Sequence, residues 1–435
     1  MKILTVDIGT GTQDIFLYDS RLDLENGLKL ILPSPTMMVY RRIKEATRTR
    51  TPILLTGTLM GGGPSAWAAR DHARAGLPAY ATHQAARTFD DDLERVEGMG
   101  IRLVSDDEAA HLPSSVARLE LRDFDFLTLA KVFRQFGVSL DDLSAVAVAV
   151  FDHGNAPPGV SDRQFRFDYL DERIRAENRL SAFAYLSDDV PKIMTRLRAV
   201  VASAQGLDAP LVVMDTAPAA VLGATFDPTV DRRQRKLIVN IGNFHALAFR
   251  LGPGGKILST GKVPGTGKVP GTGKVPGTGK VPGTGKVPGT GKVPGTGKVP
   301  GTGIEGVFEH HTGEIDLTRL QTLLRALADG TLKNEDVFND KGHGALMYSK
   351  DELELGRGEF DVVVTGPRRS MFRSPSPAPL SLRPYFAVPF GDMMITGCFG
   401  LLAATADRVP ELADPIRESL RGAGGSGTPP WEVTA

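Results

Sequence analysis

Cysteine is almost absent: Cys398 is the one thiol in 435 residues. A single thiol forms no internal disulfide and supplies no protein-only iron–sulfur site, which takes about four thiolates. Radical chemistry on a cluster held by three cysteines is therefore excluded for this chain alone. Long apolar runs are missing too. The most apolar stretches, 145–151 and 393–404, fall short of the roughly 20 residues that span a bilayer. The chain opens on an apolar strand pattern, Ile3-Leu4-Thr5-Val6, with no basic segment leading into a long apolar run. No signal peptide is expected, and the predicted location is cytoplasmic.

An excess of positive charge is also lacking. Lysine and arginine number 51 against 51 acidic residues, and seven of the lysines lie in one repeat. Without them 44 basic residues face 51 acidic ones, a body of charge −7 with no general grip on nucleic acid. No membrane partner is expected either.

The repeat is Gly-Lys-Val-Pro-Gly-Thr, seven unbroken copies over residues 261–302. One valine against a lysine, a proline and two glycines cannot build the apolar face by which solenoid repeats stack. Pro-Gly favours a type II turn, so the tract reads as a flexible, disordered, basic insertion within a surface hairpin. It is either a slippage expansion or a tether for an acidic partner. It is not a phosphate-binding P-loop, because valine follows each lysine where serine or threonine is required. The glycine-rich segment 422–430 reads as a disordered tail.

The phosphate-binding candidates lie elsewhere. Residues 7–14, DIGTGTQD, place Gly-x-Gly after a strand. A dinucleotide-binding turn needs a third glycine and then a helix. Asp14 stands at the third position, and the β-favouring run Ile15-Phe16-Leu17-Tyr18 follows. The glycines therefore belong to a strand–turn–strand hairpin. A second unit of the same style covers residues 237–249, and Val6-Asp7-Ile8-Gly9 aligns with Val239-Asn240-Ile241-Gly242. One supersecondary unit in each half predicts two similar lobes with a ligand cleft between them.

These motifs resemble the superfamily of actin, the sugar kinases and the heat-shock chaperone ATPases. Asp7, Gly9, Thr10 and Thr12 match its first phosphate motif, and residues 240–244 its second. Residues 215–223 are similar to its small-residue connecting helix, 362–369 to its adenosine motif, and 391–400 to its final small-residue helix. More narrowly, Glu309-His310-His311-Thr312-Gly313 and the run 389–394 are similar to a family within it labelled pyruvate formate-lyase activating enzyme. The cysteine count argues against that label as a radical enzyme. The resemblance implies an α/β, two-lobed actin-like (ribonuclease H-like) fold. Residues 1–213 form one lobe, 214–405 a second interrupted by the repeat, and 406–435 a C-terminal segment and tail.

The resemblance implies ATP and Mg²⁺ as ligands. Gly9, Thr10, Gly11, Thr12 and Gln13, with Asn240, Gly242 and Asn243, would meet the phosphates. The amides of Gly9, Gly11 and Gly242 approach closely because no Cβ intervenes. Asp7 would hold Mg²⁺ through water, since Mg²⁺ dehydrates reluctantly. Asp152 ends an apolar strand and would position an attacking water, or merely terminate the strand in a turn. Asp215 contacts metal or sugar, or caps a helix with Thr216. Gly366 and Arg368 line an adenine pocket, or form a strand–helix turn. The glycine-rich segment 56–65 binds a second substrate or simply turns.

The superfamily's usual aspartate is replaced by Asn240, an amide that can orient water but cannot act as a base. Binding is thus expected, with hydrolysis or phosphate transfer to an unknown small molecule as the leading function and a slow nucleotide-dependent scaffold as the alternative. Glu309, His310 and His311, with His245 and His343, raise the question of a transition metal. Adjacent strand histidines point to opposite faces, and no His-x-x-x-His spacing occurs, so the sequence weighs against one. His310 or His311 as a substrate contact stays open.

Overall fold

The computed structural model describes residues 1–157, 159–253, 302–373, 381–422 and 432. The repeat up to residue 301 and nearly all of the glycine-rich tail lie outside the described residues. Among the described residues the chain is mixed α/β, with three sheets.

The first sheet runs in the order Leu28–Pro33, Thr12–Asp19, Lys2–Ile8, Leu143–Val150, Leu211–Asp215 and Ala184–Leu186. The second runs Gly344–Met347, Gly303–His311, His245–Gly252, Lys236–Ile241, Val362–Thr365 and Pro384–Phe386. Five strands of each share one plan, and the sixth, Ala184–Leu186 or Gly344–Met347, adds antiparallel at opposite edges. A three-stranded antiparallel meander is flanked, beyond its first strand, by two parallel strands.

Strand Leu143–Val150 shows how the sequence builds this. Its alternation of alanine and valine separates two faces. Val146, Val148 and Val150 enter the main core, each fully buried and contributing roughly 1.5–3 kcal/mol. Ala147 and Ala149 face Leu401 and Ala404 of helix Thr396–Arg408 on the other side, where small residues let the helix sit close. Burial on both faces is what a parallel central strand requires.

Two helices bring the sheets together. Thr216–Ala224 follows directly on strand Leu211–Asp215 and also packs on strand Lys236–Ile241 of the second sheet. It crosses Thr396–Arg408 so tightly that a Cβ on Gly223 would collide with the Thr396 carbonyl, and one on Gly400 with that of Ala219. Both small-residue segments singled out in the sequence are thus helical, but the second starts at Thr396 instead of at Gly391. Before it, residues 389–395 turn through Phe390 at φ 49°, and Asp392 accepts from the Met394 amide.

The third sheet was not foreseen. Within the stretch read as a single first lobe, Ile101–Val104, Ala79–Thr82, Ile53–Gly57 and Ala117–Leu121 form a four-stranded parallel sheet. Its core of Ile43, Ile53, Leu55, Ala68, Ile101 and Leu119 is separate from the main one. Among the described residues no helix is long and apolar enough to cross a membrane.

Candidate functional site

The two glycine hairpins have the same closure. The Gly9 amide donates to the Thr12 carbonyl at 2.9 Å, and the Gly242 amide to the His245 carbonyl at 2.8 Å. This corrects one expectation: these two N–H groups close their own turns and are not free for a phosphate. Thr10, Gly11 and Asn243 lie at the tips, outside those closing bonds. The tips face one another, for a Cβ on Gly11 would lie 3.0 Å from Asn243 Nδ2.

Between them opens a cleft of about 1450 Å³, lined by parts of all three sheet units. Of the residues singled out in the sequence, Asp7, Gly9, Thr10, Gly11, Thr12, Asp152, Asn240, Gly242, Asn243 and Gly366 line it. Gln13 does not, because its side-chain amide turns to the Pro33 carbonyl at 3.1 Å. Asp215 does not either. Its Oδ1 accepts from the Ala217 amide as a helix cap, and its Oδ2 from Arg166 Nη1 at 2.8 Å. Arg368 is replaced in the lining by Arg369, which donates to the Gly366 carbonyl at 3.0 Å. Gly366 itself sits at φ 96°, where a side chain would be strained and its Cβ would press on Asn240 Oδ1 and the Ile241 carbonyl at 2.5 Å.

Asp152 lines the cleft, but both of its oxygens are engaged. Oδ1 accepts from the Gly154 amide at 2.8 Å and Oδ2 from the Leu197 amide at 2.9 Å. The carboxylate pins the turn after its strand, which favours the turn reading over water activation.

Asp14 escaped the sequence reading. The hairpin register pairs it with Asp7, and cross-strand partners share a face. Both line the cleft. Burial raises Asp7 from 3.8 to about 7, with Asp14 and Asp215 adding to the rise and the Thr216 hydroxyl, 2.6 Å away, opposing it. Burial likewise raises Asp14 to about 6, and its Oδ1 has no hydrogen-bond partner. None of the main influences on either carboxylate is a cation. Gly397 packs directly on Asp7, where any side chain would collide with the carboxylate.

The small sheet closes on the cleft from the side. The glycine-rich turn at 59–63 lines it, and Trp67 meets Phe244 of the second hairpin edge-on at 5.7 Å. The turn is held by Asp123, which accepts from the Gly61 amide at 3.2 Å and from Arg196 at 2.7 and 3.0 Å.

Deeper still lies a charged node. Arg166, from helix Asp162–Ala176 and fully buried, donates to Asp215 at 2.8 Å, to Glu309 at 2.6 Å and to the Asp152 carbonyl at 2.9 Å. Burial alone would raise Glu309, but Arg166, His343 and His245 hold it well below the usual range. Around Glu309 stand His245, His311 and His343, and burial pushes His343 down to about 3. His310 points the other way, its Nε2 3.8 Å from Asp340, as strand alternation requires.

No curated protein matches this sequence at a significant level. Among solved structures, the nucleotide-free structure of acetone carboxylase, described under a mechanism of ATP-dependent acetone carboxylation, aligns at 12% identity. It covers 57% of this chain and 44% of that chain, so this chain spans less than half of it. The TM-score is 0.17, too slight a likeness to bear on fold or function. A family model matches residues 60–260 and 297–371, which hold the second hairpin, Arg166, Glu309 and the three histidines but not the Asp7 hairpin. With most of its length matched, the chain belongs to the family described as "Putative pyruvate format-lyase activating enzyme (DUF1786)".

Proposed function

We propose that this protein is an actin-like, two-lobed Mg·ATP-binding protein whose nucleotide lies between the two glycine hairpins. The carrying observation is the half-buried Asp7–Asp14 pair, which lines the cleft beside one hairpin with no cation among its main influences. Two carboxylates raised to about 7 and about 6 suit a hard divalent ion that would supply the missing positive charge. The shared strand plan of the two sheets and the tight crossing of their connecting helices support the two-lobed reading.

Asp7 and Asp14 would hold Mg²⁺, and the amides of Thr10, Gly11 and Asn243 would meet the phosphates. The Gly366 turn and Arg369 would flank the base. When bound, Mg·ATP supplies a phosphoanhydride for hydrolysis or transfer. Asp14 Oδ1, enclosed without a hydrogen-bond partner, is an oxygen whose charge Mg²⁺ would offset.

A second reading, a nucleotide-dependent scaffold with little turnover, is favoured by Asn240 and by the full engagement of Asp152. The family's label is not adopted as an activity. Cys398 is buried, donates to the Asp14 carbonyl at 3.1 Å, and is pushed well up by burial, so it offers no thiolate.

Calorimetric titration of ATP is expected to show saturable one-to-one binding that requires Mg²⁺. Phosphate release measured alongside then separates the readings: sustained turnover favours the enzyme, and tight binding without it the scaffold. Absence of binding by adenine and guanine nucleotides alike overturns the proposal.

A further inference from the structure

We propose that His245, His311 and His343 form a binding site for one divalent transition-metal ion of the zinc class, distinct from the carboxylate pair proposed for Mg²⁺.

The site is built by strand register. His245 begins strand His245–Gly252 and is the direct cross-strand partner of His311, which ends strand Gly303–His311. His343 immediately precedes strand Gly344–Met347, and its amide donates to the Glu309 carbonyl at 2.9 Å. Three neighbouring strands therefore deliver three imidazoles to one end of one sheet. Their ring centroids are 4.5–5.2 Å apart, and one nitrogen from each lies within 4.8 Å of the others. Zinc–nitrogen bonds of about 2.1 Å would bring such atoms to roughly 3.4 Å in a tetrahedron. Modest side-chain rotation closes that difference, and strands provide a rigid base.

A second, independent observation points to a ligand. The Nδ1 atoms of His245 and His343 and the Oε1 atom of Glu309 are buried without a hydrogen-bond partner. Three buried polar atoms without a well-formed hydrogen bond in one node call for a partner. They also point at one another: His245 Nδ1 lies 3.0 Å and His343 Nδ1 3.6 Å from Glu309 Oε1, close but misaligned. Turning both rings inward to a metal through Nε2 would let each Nδ1–H donate to Glu309. That is the carboxylate–histidine–metal arrangement, in which the outer carboxylate fixes the tautomer. Arg166 holds the other Glu309 oxygen at 2.6 Å, and Phe151 stacks on His245 at 4.2 Å, so the supporting shell is in place.

Ligand chemistry separates this centre from the Mg²⁺ site. Imidazole nitrogens suit zinc, iron, nickel or copper, whereas Mg²⁺ takes oxygen ligands. With three protein ligands a tetrahedral ion keeps a fourth position open, and His245 and His311 line the cleft toward which it would face.

The test uses the full-length protein, stripped with a chelator and titrated with Zn²⁺ by calorimetry and with Co²⁺ by visible absorption. One ion per chain is expected, with cobalt bands of four- or five-coordinate nitrogen ligation. His311→Ala, at a residue only partly buried, is expected to weaken Zn²⁺ at least 100-fold, and Glu309→Gln about 10–100-fold. His111→Ala, at an exposed histidine of the small sheet unit, is expected to change nothing. Circular dichroism confirms that each variant is folded. No stoichiometric binding, or equal binding by the folded His311→Ala variant, overturns the proposal.

Discussion

Arg166→Met is expected to destabilise the protein by about 3–5 kcal/mol, the cost of leaving a buried ion pair half broken. Arg166 is fully buried, and its Nη1 and Nε donate to Asp215 at 2.8 Å and Glu309 at 2.6 Å. These carboxylates come from different sheets, so the guanidinium ties the two halves together beneath the cleft. Removing it strands two negative charges in the interior. Lysine should not substitute, since one ammonium cannot reproduce the forked geometry that also reaches the Asp152 carbonyl. Neutralising both partners in the Arg166→Met background, with Asp215→Asn and Glu309→Gln, should recover most of the loss. Urea unfolding of the wild type and these three variants measures this, and a loss below about 1 kcal/mol for Arg166→Met would refute the role.

Asp7→Asn is expected to weaken Mg·ATP binding at least 100-fold at pH 7.5, about 2.7 kcal/mol, while leaving stability unchanged or raised. The two effects part because Asp7 is an unfavourable charge in the free protein. Its folded pKa of about 7 stands above the ordinary 3.8, so the fold binds that proton more tightly than the unfolded chain does. The stability this confers is full below about pH 4 and is lost as pH rises through about 7. Mg²⁺ needs the ionised form. Its affinity should therefore climb about tenfold per pH unit below about 7 for each proton released, then level off. Titrations at pH 5.5 and 8 with wild type and Asp7→Asn measure that slope. An equal slope in both would show that Asp7 does not carry it.

The parts of this account legible in the sequence are local. An apolar run, a polar residue and a glycine turn mark each hairpin, while the Gly366 turn and the two small-residue helices are marked by resemblance to the superfamily's motifs. What escaped depends on register or on contacts between distant segments. Asp14 was seen as a break in a Rossmann pattern, although a hairpin pairing Ile8 with Gln13 also sets Asp7 opposite Asp14. Turn length could have revealed it. The exchange of Arg368 for Arg369 in the lining is a one-residue matter of turn geometry. Arg166 lies on a helix so rich in charge that its sequence reads as solvated, and nothing local marks one arginine as buried. The histidines were weighed as neighbours along the chain, which rightly separated His310 from His311. Pairing of His311 with His245 belongs to the meander, and no ligand spacing in the sequence records it. The small parallel sheet was missed because its strands of four or five residues are too short to stand out.

The most direct test of the central claim is a crystal structure with Mg²⁺ and a non-hydrolysable ATP analogue. The account predicts phosphates between the tips at Thr10–Gly11 and Asn243, the metal on the Asp7–Asp14 face, and the base beside Gly366 and Arg369. Nucleotide bound elsewhere, or a cleft without nucleotide at saturating concentration, would contradict it.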